Sequence, residues 1–290
     1  MTTFDTPEPI SVSIELVVGN VRIIASDRSD TVVEVNASDK SNESDVKAAE
    51  RTRVDYSHGR LLIKSPKHWK HYTPFGGGES VDVTIELPTG SHVEGEAPMA
   101  EFRCEGRLGE CRFSTATGSI RLDQTGPLHL NAGVGSITVD RAVGRTEVTG
   151  AGDIRIREID GPATIKNLNG DTWVGEVTGD LRCKASNGNI AVDRAHATIV
   201  AKTANGDVRF GEVARGSVVL ETAFGELEVG IRKGTSALLD VRSKFGNVRN
   251  SLTASDAPDS SDETVEVRAR TSFGDIVIRR SDLSVDQEST

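Results

Sequence analysis

From about residue 100 onward, apolar and polar residues alternate in short runs, and a glycine followed by a small polar or acidic residue opens each run. The copies read Gly118-Ser-Ile-Arg-Leu122, Gly135-Ser-Ile-Thr-Val139, Gly152-Asp-Ile-Arg-Ile156, Gly170-Asp-Thr-Trp-Val174 and Gly188-Asn-Ile-Ala-Val192. They continue as Gly206-Asp-Val-Arg-Phe210, Gly225-Glu-Leu-Glu-Val229, Gly246-Asn-Val-Arg-Asn250 and Gly274-Asp-Ile-Val-Ile278. The glycines are 17, 17, 18, 18, 18, 19, 21 and 28 residues apart. Period-two alternation marks a strand with one buried face. Each interval holds a second such run, with alternate positions such as Cys111/Phe113/Thr115, Leu181/Cys183/Ala185 and Val218/Leu220/Thr222. The third of these inward positions is always small or short and polar, which suits a tight corner. Two strands and two turns cannot bury an apolar face alone, but coils stacked at ~4.8 Å form two parallel sheets around a shared core. The repeat therefore predicts an all-β fold, a single-stranded parallel β-helix or β-solenoid with coils of about 18 residues.

The first 95 residues carry strands without that period. Alternation predicts strands at 12–16, 17–24, 31–35, 61–64 and 81–88, with a further Gly-Asn-Val-Arg-Ile copy at Gly19 and a short helix over 45–53. This divides the chain into an N-terminal β unit (1–95) that caps the solenoid, a repeat domain (96–280) and a disordered tail (281–290). Residues 251–263, rich in Ser and Asp, read as a loop inserted between successive coils. Asn169, Asn187 and Asn205 precede the turn glycine at 18-residue spacing and predict an asparagine ladder. Phe224, Phe245 and Phe273 take that position in the last coils, which predicts a phenylalanine column that widens the core and helps close the C-terminal end.

Composition narrows the function classes. Aromatic residues are only 4%, so the core is aliphatic, and a net charge of −10 disfavours nucleic acid as a partner. No apolar run approaches the ~18 residues of a membrane span. The start, Met1-Thr2-Thr3-Phe4-Asp5, lacks the basic and apolar regions of a signal peptide, so the expected compartment is the cytoplasm. Cys104, Cys111 and Cys183 are odd in number, form no CxxC and fall in phase with inward positions. They are expected to be reduced core thiols.

No catalytic spacing is present: there is no Gly-x-Ser-x-Gly elbow, His-Glu-x-x-His, Walker loop or EF-hand loop. Asp153, Asp171, Asp207 and Asp275 follow turn glycines, as in calcium-binding rolls, but the other turn is Gly126-Pro or Gly161-Pro rather than a second aspartate turn. No metal and no cofactor is therefore expected. Two features remain as candidate binding sites. Lys67, His68, Trp69, Lys70, His71 and Tyr72 form the densest cationic-aromatic segment, a composition that suits a sugar, a base or an anionic peptide. Lys166, Lys184 and Lys202 sit 18 residues apart and predict an outward column able to act as an anion track. Arg121, Arg155 and Arg209 recur outward on the other sheet.

The strand ending Ile85-Glu-Leu-Pro88, followed by serial Gly-[Asp/Ser/Asn]-[Ile/Val]-x-[Val/Leu/Ile] copies, resembles the bacterial "putative adhesin" family of β-strand-repeat domains of unknown function. The likeness runs from about residue 10 to 280. It implies a β-strand-repeat fold and, by the family's name, cell-surface adhesion; it supplies no catalytic residues. The residues themselves favour a non-enzymatic intracellular binding or scaffold protein with a protein or polymer partner. An end-to-end polymer of the bactofilin kind, with self-association, is the first alternative. A carbohydrate-active β-helix enzyme is the second.

Overall fold

The structure, a computed structural model, describes residues 1–66, 79–252 and 263–281, and divides into two compact units, Met1–Gly152 and Asp153–Thr290. The fold is the expected all-β parallel solenoid.

In the second unit one sheet stacks Ile154–Asp160, Thr172–Val177, Ile190–Ala195, Val208–Val213 and Leu227–Ile231, all parallel. The other stacks Ala163–Asn169, Leu181–Asn187, Ile199–Asn205 and Gly216–Phe224. Register follows the repeat, so Ile154, Thr172, Ile190, Val208 and Leu227 form one column, each at most 1% exposed. Complete burial of one such residue per strand position is what holds the coils together, at about 25 cal/mol per Å² of apolar surface removed from water.

The corners account for the rest of the repeat. Gly188 and Gly206 have φ of +128° and +141°, a conformation that side chains with a Cβ rarely adopt. Space imposes the same choice, because a Cβ on Gly206 would lie 2.2 Å from the Gly188 carbonyl oxygen. The residue after the glycine carries an acceptor for the next coil. Asp171 Oδ1 receives the Asn189 N–H at 2.8 Å, Asn189 Oδ1 that of Asp207 at 2.8 Å, and Asp207 Oδ1 that of Glu226 at 2.7 Å. The small polar inward position serves the same corner: the Thr203 and Thr222 hydroxyls donate to the carbonyls of Gly188 and Gly206 at 3.3 and 3.0 Å. The asparagine ladder forms as expected, with Nδ2 to Oδ1 distances of 2.9 Å from Asn187 to Asn169 and from Asn205 to Asn187.

Three expectations are corrected in this unit. The coils do not stack in chain order at the C-terminal end. Thr264–Phe273 lies between Gly216–Phe224 and Ser236–Phe245, and Ile276–Arg280 lies between Leu227–Ile231 and Val248–Asn250. The last coil is thus inserted beneath the one before it. Burial follows that order: Val265, Val267 and Ala269 are at most 2% exposed there, while Ser236–Phe245 carries Leu238 outward at 71%. The insert 251–263, partly outside the described residues, supplies the chain length for that return. Nor do the phenylalanines widen the core. They continue the outward asparagine column, Asn205 aligning with Phe224, and stack on one another at 4.9 and 4.8 Å with half of each ring in solvent. The residue before a turn glycine points away from the core whatever its polarity. Ser281, which the sequence assigns to the tail, is buried against Glu212; 282–290 lie outside the described residues.

The first unit shows the same inversion at its start. Ser11–Glu15 lies between Arg60–Lys64 and the first half of His92–Arg107, and Val18–Ser26 between Val81–Pro88 and the second half. Residues 11–26 therefore form a parallel coil within the stack. The capping elements are Asp30–Ala37, antiparallel to Val81–Pro88, Arg53–Ser57, antiparallel to Arg60–Lys64, and the helix Glu43–Arg51. Asn42 caps that helix, and its buried Asp45 accepts the backbone N–H groups of Asp39 and Ser80 at 3.1 and 3.0 Å. Cys111–Thr117, Ile120–Thr125, Leu128–Val134 and Ile137–Val143 continue the stack.

Candidate functional site

Parallel in-register stacking turns each outward position into a line of side chains one strand apart. Lys166 aligns with Lys184 and Lys184 with Lys202, so the lysine column exists. Lys166 and Lys184 are exposed and make no ion pair among the described residues. The third member, Lys202, is half-exposed, and its Nζ lies 2.6 Å from Glu221 Oε2, the next residue of the column. Arg182, exposed on the same face, aligns with Thr164 and Val200 and adds a fourth cation. The arrangement is a short positive line closed at one end by a carboxylate. Its chemistry is that of a row of point charges on flexible stems.

The arginines of the other sheet do not make a second line. Arg155 and Arg209 share a column but are separated in it by Trp173 and Ala191, and Arg209 is 3.3 Å from Glu228. Arg209 helps to frame something else. Trp173, Asp193, Arg209, Gly211 and Arg279 line a trough of about 470 Å³ on this outer face. The indole N–H donates to Asp193 Oδ1 at 3.3 Å, and Arg279 Nε donates to Glu228 Oε1 at 2.7 Å. The bare floor at Gly211 is forced by the Asp193 carbonyl oxygen, 2.7 Å from where a Cβ would sit. Sequence reasoning passed over this trough because Trp173 looked like one more repeat residue, and Arg279 reaches it only through the out-of-order last coil.

The cationic-aromatic segment Lys67, His68, Trp69, Lys70, His71 and Tyr72 lies outside the described residues. The turn aspartates spend one oxygen on the next coil's backbone, which is a structural role. Among the described residues no three His, Cys, Asp or Glu side chains cluster as metal ligands do, and no helix is long and apolar enough to cross a membrane. All three cysteines are free and buried. Burial pushes the Cys183 thiol up to about 12 and Cys111 to about 11, and holds Cys104 well above the ordinary range. They are inert core groups.

These features define a parallel β-solenoid of repeating Gly-Asx coils that offers columns of surface side chains. The chain belongs to the family described as Toastrack DUF4097, whose profile matches residues 10–282. Crystal structures with this likeness include a "putative adhesin" from Bacteroides fragilis NCTC 9343, 11% identical over 96% of this chain and 95% of that chain, TM-score 0.39. Another "putative adhesin", from Parabacteroides distasonis ATCC 8503, is 14% identical over 95% of each chain, TM-score 0.35. A "putative lipid binding protein" from the same strain is 10% identical over 95% of each, TM-score 0.37. No curated protein matches the chain.

Proposed function

We propose that this is a non-enzymatic binding or scaffold protein of the cytoplasm, and that Lys166, Lys184 and Lys202 engage an anionic protein or polymer. The observation that carries the reading is the in-register lysine column on a chain of net charge −10. Two unit charges 4 Å apart in water repel by about 1 kcal/mol, so like charges stacked one strand apart are a standing cost that a bound anion removes. Three buried, unpaired thiols support a reducing compartment. The test uses inorganic polyphosphate as probe, titrated at several salt concentrations. Saturable binding that weakens with salt is expected, and the triple variant Lys166→Gln, Lys184→Gln, Lys202→Gln lowers the salt slope by about 2. Equal binding by the variant, or none by the wild type at low salt, removes the proposal.

A further inference from the structure

The last coil in space, Ser236–Phe245 with Val248–Asn250, is paired on one side only among the described residues. Its neighbours show what the missing side would do. Ala237, Leu239 and Val241 align with Val265, Val267 and Ala269, which are at most 2% exposed, yet all three are only half-buried. Val248 aligns with fully buried Ile276 and is 44% exposed. The core is cut through at this coil, and a ten-residue edge offers free backbone donors and acceptors.

The outer strands of the first unit are built differently. Thr2–Asp5 and Arg53–Ser57 are short, antiparallel to their neighbours and charged, the usual ways of blunting an edge. The chain's own spare segments are poor covers for the open coil: 251–263 and 282–290 are mostly Ser, Thr, Asp and Glu.

The open edge is, however, complementary to itself. Paired residues of antiparallel strands point to the same face, so a two-fold pairing must be centred on a residue. Centred on Val241, it sets Asp240 of each copy opposite Arg242 of the other. Centred on Asp240 or Arg242, it sets like charges face to face, and centred on Ser243 it sets Arg242 opposite Lys244. Each Arg242 gains a carboxylate by the Val241 register, its own Asp240 being 3.6 Å away and shared with Arg268 and Arg270. A two-fold axis normal to the sheet at Val241 keeps inward residues inward. Leu239, Val241 and Val248 of both copies then close one continuous core.

We propose that this coil is the contact surface of a head-to-head pair, two copies of this chain joined antiparallel along Ser236–Phe245 about Val241. The pair is closed and does not propagate into a filament.

The test is the mass of the full chain in solution by sedimentation velocity and light scattering, with three variants. The wild type is expected at twice 31.0 kDa at concentrations up to about 100 µM. Arg242→Glu, an exposed outward change that leaves the fold alone, sets Glu against Asp240 and is expected at 31.0 kDa with unchanged circular dichroism. Opposed residues of an antiparallel pair have Cα atoms about 4.5–5.5 Å apart, within reach of a disulfide. Mild oxidation of Val241→Cys is therefore expected to give a covalent dimer, the native cysteines being buried, and Lys184→Cys to give none at the same rate. A monomeric wild type whose Val241→Cys form crosslinks no faster than Lys184→Cys overturns the proposal. So does a dimer indifferent to Arg242→Glu, or a ladder of masses growing with concentration.

Discussion

The sharpest statement about how the coils are held is that glycine is needed at the corner for space as well as for backbone conformation, and Gly206→Ala separates the two. At φ +141° the alanine carries left-handed-side strain of about 1–3 kcal/mol. Its Cβ would also sit 2.2 Å from the Gly188 oxygen and 2.6 Å from the Gly188 carbon, so the two corners must part by about 1 Å to reach ordinary contact. That movement stretches the bonds flanking the corner, Gly188 N–H to Asn205 O at 2.9 Å and Asp207 N–H to Asn189 Oδ1 at 2.8 Å. Each contributes about 1 kcal/mol net. The sum is a loss of about 3–5 kcal/mol. Gly234→Ala is the control: φ is +84°, but nothing lies within 4 Å of the added Cβ, so only the conformational cost of about 1–2 kcal/mol remains. Urea unfolding followed by far-ultraviolet circular dichroism gives both values from the shift in midpoint. If the two variants lose equal stability, coil spacing is not set by carbonyl-to-glycine contact, and the corner argument fails.

Two further outcomes follow from the same geometry. Asp171→Asn keeps an oxygen for the Asn189 N–H, as Asn189 itself does one coil on, and is expected to be nearly neutral. Asp171→Ala leaves that donor to solvent and costs about 1 kcal/mol by urea midpoint, with calcium making no difference to either. Because burial raises the folded-state values of Cys111 and Cys183 to about 11 and about 12 from 9.0, the unfolded chain ionises first. These two thiols therefore add no pH dependence below pH 9 and lower stability as pH rises toward 11–12, a fall that shrinks in the Cys111→Ala, Cys183→Ala variant.

Much of this molecule was legible in the order of its residues. Period-two alternation named the strands, the glycine interval named the coil, and the phase of Ile154, Ile190 and Val208 named the core, because each depends on a residue and its near neighbours along the chain. The asparagine ladder and the lysine column followed from the period alone, since parallel stacking converts equal spacing into spatial alignment. The phenylalanines were misread from polarity, where geometry decides: the corner position faces outward in every coil. The order of the end coils was decided only in three dimensions. A coil's sequence states that it must be flanked by others, and any coil of the same register satisfies its backbone bonds. Which neighbours it takes depends on whose apolar face is better sealed and on a connection long enough to return, so Thr264–Phe273 went inside and Ser236–Phe245 was left at the edge. The Trp173 trough depends on the same placement, since Arg279 reaches it from that inserted coil.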